Sequence, residues 1–180
     1  MHDVTQILEQ INAGQEQAQG QLLDAVYTEL RQMAASQMAR EKPGQTLQPT
    51  ALVHEAYLRL TGSQLFENRR HFFGAAGEAM RRVLVDNARR KLSARHGGSA
   101  QRIHLSDVAA PDADERLVAL DERLTQLSID DPQAARVVEL HHFVGLPYDQ
   151  VAEALDTTVY EVRLKWAFAR AWLKAALHNS

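Results

Sequence analysis

The stretch 147–177, PYDQVAEALDTTVYEVRLKWAFARAWLKAAL, constrains this chain more than any other. Its apolar residues recur at helical spacing in two blocks. Val151, Ala152 and Leu155 make the inner face of a short helix, and Val162, Trp166, Ala169, Leu173 and Ala176 a stripe along a longer one. Asp156-Thr157-Thr158 separates them, and the Thr158 hydroxyl stands where it can accept from a free N–H in the first turn of the second helix. Ala152 is small where two helices must cross closely. Two helices on so short a turn predict a helix-turn-helix, whose second helix would enter a DNA major groove. The same pattern also fits a helical hairpin that only packs.

Ala, Leu, Gln, Glu and Arg dominate and β-branched runs are few, which predicts a mainly helical, all-α chain. There is no cysteine, so disulfides and thiolate-bound zinc are excluded. No apolar run approaches the roughly 20 residues of a membrane span. The start, MHDVTQILEQ, lacks the basic and apolar segments of a signal peptide, so a cytoplasmic protein is expected.

The net charge of −3 looks wrong for a nucleic-acid binder, but it hides a strong asymmetry. Between residues 69 and 102 stand Arg69, Arg70, Arg81, Arg82, Arg89, Arg90, Lys91, Arg95 and Arg102, opposed only by Glu78 and Asp86. Between 106 and 131 the sign reverses: Asp107, Asp112, Asp114, Glu115, Asp121, Glu122, Asp130 and Asp131 face Arg116 and Arg123. A basic middle is followed by an acidic belt.

Along the chain, Asp3 caps a first short helix that Gly14 ends. Leu22, Val26, Leu30 and Met33 mark a helix over 16–40, and Pro43-Gly44 the turn after it. Thr50 is expected to cap a third helix, closed by Gly62. A fourth helix over 69–95 turns Phe72, Phe73, Ala76, Met80, Val83, Leu84 and Ala88 inward. The stretch 97–114, rich in Gly, Ser, Asp and Ala, reads as a flexible linker in which Ile103 and Leu105 could dock on a groove. A helix over 115–127 follows, and then one begun by Asp131-Pro132 and ended by Gly145. The expected architecture is two small helical domains, 1–96 and 115–180, on that linker.

Arginines beside Phe66, Phe72 and Phe73 suit single-stranded or melted DNA: cations neutralise phosphates and rings stack on bases. Asn68 and Asn87 could read an exposed base edge. A solvated basic face over core phenylalanines is the other reading, and Phe73 in particular is expected to be core. On the second hairpin helix, Arg163 and Lys165 can reach phosphates or guanine, and Glu161 could accept from cytosine. The adjacent His141-His142 cannot both face one metal, and His54, His71 and His104 form no ligand pair, so no metal site is expected. Neither a nucleophile triad nor a phosphate loop is present. No cofactor is called for, and the chain reads as a binder rather than an enzyme.

Three stretches, LVHEAYLRL (52–60), FFGAAGEAMRRVLVDNARRK (72–91) and WAFARAWL (166–173), together resemble a bacterial RNA polymerase sigma factor of the sigma-70 family, extracytoplasmic-function (ECF) type. The resemblance spans most of the chain. It implies a region 2-like domain over 1–96 and a region 4-like helix-turn-helix domain over 115–180. Leu52, Val53, Glu55 and Leu58 would dock on the polymerase β′ clamp helices, and the β flap would be a second contact. Asn68, Arg81, Arg82, Asp86, Asn87, Arg89 and Arg90 would capture and melt the −10 element. Thr158, Tyr160, Glu161, Arg163, Leu164 and Lys165 would read the −35 element, and the acidic linker would thread toward the RNA exit path. Partners would be core polymerase, promoter DNA and a regulator, either an anti-sigma factor or a Ser/Thr kinase, with no membrane.

Departures from the family pattern are informative. The acidic D-A-E-D box that often precedes the docking helix is replaced by Gln48-Pro49-Thr50-Ala51. Phosphorylation of Thr50 at a helix N-terminus would restore the missing charge; Thr50 as a plain N-cap is the other reading. Asp156 stands where the hairpin turn usually has glycine, and aspartate tolerates the left-handed conformation better than most residues. Leu164 and Glu161 sit where polar or basic residues are common. Two competing functions are a stand-alone helix-turn-helix regulator and a helical adaptor whose basic helix binds an acidic protein.

Overall fold

The computed structural model describes residues 3–39, 47–61, 65–97 and 112–178. Among these residues every regular element is a helix, so the chain is all-α. The predicted turn at Pro43-Gly44, the stop at Gly62 and the body of the linker, with Ile103 and Leu105, lie outside the described residues.

Helix α1 (Val4–Asn12) begins where Asp3 Oδ1 accepts from the Thr5 N–H at 3.1 Å. Gly14, at φ +83, turns the chain into α2 (Gln17–Met38). The four-residue steps of Leu22, Val26 and Leu30 put all three in the core. Helix α3 (Pro49–Leu60) starts two residues earlier than the expected Thr50 cap would place it. Pro49 occupies its first position, which needs no N–H. Gln48 is therefore the N-cap, with no side-chain bond, and the expected Thr50 cap is not made: Thr50 sits exposed inside the first turn. Helix α4 (Arg69–Gly97) closes this first core, to which α1–α4 all contribute.

Asp112 and Glu115 form a reciprocal capping box at the start of α5 (Ala113–Asp130), so the helix begins two residues before the predicted 115. Asp131 caps α6 (Pro132–Val138) through the Ala134 N–H at 3.0 Å. The helix then widens into a π-helical turn, Glu139–Val144, which Gly145 ends at φ +86. Helices α7 (Tyr148–Ala154) and α8 (Val159–His178) complete the hairpin. Leu127, Ala134, Val138 and Ala169 centre one cluster, and Val137, Leu140, Val151 and Val162 another.

The C-terminal helices rest on α4, which packs against α5 and the π turn. Gly74 and Gly77 make the close approach possible: a Cβ on Gly77 would lie 2.5 Å from Val144 Cγ2, and one on Gly74 3.3 Å from Leu140 Cδ2. Gln37 of α2 donates from Nε2 to the Phe143 carbonyl at 3.0 Å and the Gly77 carbonyl at 3.3 Å, tying three segments together.

Candidate nucleic-acid interface

The basic helix α4 is positioned from its N-terminus. Asn68 Oδ1 accepts from the His71 N–H at 2.9 Å, so this residue caps the helix while its side-chain amide nitrogen stays available at an exposed position. The three phenylalanines do not serve as stacking platforms. Phe66, Phe72 and Phe73 are all buried, edge-to-face in sequence, at ring centroids 5.3 and 5.4 Å apart. Phe72 and Phe73 lie on the inward side of α4 and Phe66 in the segment before it, and burial takes all three rings out of reach of a base.

The predicted cations divide into two groups. Arg82, Arg89 and Arg90 are exposed. Arg82 pairs with Glu78 on its own helix, and Arg90 Nε donates to the Asp86 carbonyl at 3.4 Å. Arg81, only 8% exposed, faces the other way. Its Nη1 lies 2.6 Å from Asp121 Oδ1 and its Nη2 3.7 Å from Glu139 Oε1. Arg89 reaches the other Asp121 oxygen at 3.4 Å. Lower on α4, Lys91 and Arg95 pair with Asp114 at 3.9 and 3.1 Å, and Arg95 also binds Asp112. At the top, Arg70 pairs with Glu153 of α7. The acidic belt thus folds back onto the basic helix. The Glu115 N–H and Arg95 hold the Asp112 carboxyl below its usual range, and Asp112 in turn raises the Arg95 guanidinium.

Asp86 and Asn87 are half-buried. Asp86 accepts from Arg59 at 3.0 Å, and Arg59 also pairs with Glu55 at 3.2 Å. Arg59 is a link that the sequence reading missed; its four-residue spacing from Glu55 was the available signal. On α3 the predicted docking residues split. Leu52 and Val53 are fully buried and hold the core, because the helix turns that face toward α2 and α4. They present nothing to a partner. Leu58 is 74% exposed and Glu55 lies nearby on the outer side.

The hairpin is built as its spacing predicts. Thr158 Oγ1 accepts from the Glu161 N–H at 3.2 Å, and Asp156 takes the left-handed conformation at φ +50. Tyr160, Arg163 and Leu164 are exposed on the outer face of α8. Glu161 and Lys165 are engaged within the protein. The Glu161 carboxylate accepts from the Thr157 hydroxyl and from the backbone N–H and hydroxyl of Thr158; these bonds, that of Thr157 first, hold its pKa down. Lys165 Nζ donates to Asp131 Oδ2 at 2.6 Å. All of these bonds fall on Oε2, so the exposed carboxylate is oriented by its cap while Oε1 is left for an outside donor. Arg163 lies over the Tyr148 ring at 5.6 Å.

His141 donates from Nδ1 to the Leu146 carbonyl at 2.8 Å and stacks on Tyr148, while the His142 ring faces Trp166. These histidines serve the packing around the π turn. Among the described residues no cluster of three or more His, Asp or Glu is arranged to hold a metal, and no helix is long and apolar enough to cross a membrane.

Compared with known protein families, residues 1–179 match the family described as ECF sigma factor. No curated protein matches the chain at a significant level.

Proposed function

The chain belongs to the ECF sigma factor family, and from that premise we propose how its surfaces divide the work of transcription initiation. The family's members bring core RNA polymerase to promoter DNA. In this reading α1–α4 form a region 2-like domain, α5–α8 a region 4-like domain, and the segment between them the linker. Leu58 and Glu55 dock on the β′ clamp helices, with Leu52 and Val53 shaping the helix from inside. Asn68, Arg82, Asn87, Arg89 and Arg90 hold the −10 element and its melted strand. Tyr160, Arg163 and Leu164 read the −35 element, and Thr158 orients their helix. The setting is the cytoplasm, where polymerase and chromosome meet.

The observation that carries this reading is the pairing, on one chain, of an exposed arginine face on α4 with an exposed helix-turn-helix face on α8. Each contact is weak alone, and two on one tether gain from effective concentration. The outer face of α8 is poor in free charge, since Glu161 and Lys165 bond within the protein. That favours reading DNA in company with polymerase over a stand-alone regulator.

Thr50 is the candidate switch. It is exposed in the first turn of α3, where no acidic residue stands. A phosphate there would meet free N–H groups and the positive end of the helix dipole. A Ser/Thr kinase or an anti-sigma factor would then set activity.

Reconstitution with core polymerase on genomic DNA tests the whole reading. Co-purification with the core and runoff transcription from a defined promoter are expected. Tight sequence-specific binding to duplex DNA without polymerase would instead favour the regulator, and neither activity the adaptor.

A further inference from the structure

We propose that α8, taken as the helix that reads the −35 element, selects thymine through its methyl group, with Leu164 and Tyr160 as the specificity-determining residues. The selectivity rests on that reading of α8 and adds to it the base that the helix prefers.

At about 100° per residue, Tyr160, Leu164, Ala167 and Ala171 fall within about 60° of one another around α8. That strip lies opposite the buried Val162, Ala169 and Leu173, and Phe168 borders it. All five are exposed, Tyr160 at 71%, Leu164 at 52% and Phe168 at 48%. The face of the helix turned furthest from the core is therefore apolar, apart from the Tyr160 hydroxyl. Charges stand at its edges. Arg163, Arg170 and Lys174 form an exposed row along one side. On the other, Glu161 and Lys165 bond within the protein.

The chemistry of the major groove decides what such a strip selects. Guanine, cytosine and adenine present donors and acceptors there, and thymine adds its C5 methyl group. An apolar side chain over a polar base edge takes away water and returns no bond. Over a methyl group it removes two apolar surfaces from water at once. Thymine is favoured twice, by the contact it gives and by the loss it avoids. From Tyr160 to Phe168 the helix rises about 12 Å, or three to four base steps of about 3.4 Å. The expected site is a run of three or four T·A pairs, with the row of Arg163, Arg170 and Lys174 along a phosphate backbone. The same row argues against a second copy as the occupant. Antiparallel packing on the strip about a two-fold axis would set the row against its own image.

Selection of promoters from a randomised library by the full chain with core polymerase gives the site, which should be rich in T·A pairs at the −35 position. Replacing those thymines by deoxyuridine removes only the methyl group and keeps the pairing. Each contacted methyl lost should weaken promoter binding about fourfold, and deoxyuridine in the spacer should change nothing. Leu164→Ala should melt as the wild type does and lose most of the discrimination between thymine and deoxyuridine at the pair it covers. Leu164→Arg should move the preference there toward guanine. Equal binding of thymine and deoxyuridine sites, or a −35 sequence selected without thymine, overturns the proposal. A wild-type dimer that Leu164→Asp splits, with no change in promoter choice, gives the strip to a second copy instead. If the selected promoters carry no preference at all at the −35 position, the reading role of α8 fails, and the thymine selectivity with it.

Discussion

Lys165 Nζ lies 2.6 Å from Asp131 Oδ2, so the recognition helix is pinned to the residue that starts α6. Asp131 also caps α6 through its other oxygen, at 3.0 Å from the Ala134 nitrogen. Burial alone would raise this carboxyl, but bonds from Lys165 and the Ala134 N–H outweigh it and hold the group below its ordinary 3.8. The aim of α8 and the integrity of α6 therefore depend on one charge.

Its loss is the first expected outcome. Because the folded pKa is depressed, this contribution is complete above 3.8 and fades as pH falls through the lower folded value. Asp131→Ala should cost about 1 kcal/mol from the cap alone. It should also flatten the acid limb of stability, measured by chemical denaturation between neutral and acid pH. An unchanged acid limb would show that the pair adds nothing.

Leu58 and Leu52 should behave as opposites. Leu58→Asp alters an exposed side chain, so melting should shift little, by within about 0.5 kcal/mol, while affinity for core polymerase falls. Leu52→Ala empties a fully buried site and should cost about 2–5 kcal/mol. Anisotropy titration with core polymerase beside thermal melts separates the two. Undiminished core binding by a folded Leu58→Asp protein would remove the docking assignment.

Exposed arginines on α4 should appear in the salt dependence of DNA binding. Arg82→Ala and Arg90→Ala should each lower the slope of log affinity against log salt by about 0.7 on a single-stranded probe. Stability should hold, since each gives up only a surface contact. A wild-type slope in both variants would move the DNA contact elsewhere.

Thr50 offers a three-way comparison. If a negative charge is needed in the first turn of α3, Thr50→Glu should bind core polymerase and transcribe better than Thr50→Ala, and kinase-treated wild type better than either. The added charge should also stabilise the helix by about 0.3–1 kcal/mol. Indistinguishable transcription from all forms would end the switch idea.

Local signals in the sequence were the most legible. Asp3, Asp131 and Thr158 cap helices because a short oxygen-bearing side chain before an apolar-periodic run has few other uses. Thr50 escaped the same rule because Pro49 claims the first helical position and moves the cap back to Gln48. Faces were harder. Phe66 and Phe72 read equally well as core or as stacking rings, since aromatic content does not reveal which side a neighbouring helix will cover. Leu52 and Val53 carried the same ambiguity. The pairing of the acidic belt with α4 was invisible in a linear reading. Charge complementarity between segments was evident, but register between them was not. Gly74 and Gly77, three apart in a strong helical pattern, were the clue to a close approach.

The π-helical turn Glu139–Val144 carries one residue more than an α-helix of the same rise would need. The wider i→i+5 ring absorbs that extra residue within the turn, so removing it would tighten the turn to ordinary α-helix and leave the direction of everything after Gly145 nearly unchanged. A deletion in the regular part of α6 would instead step the chain by about 100° around its axis. Across lineages, a one-residue difference in length is an edit this turn can absorb while the hairpin keeps both its core and its aim.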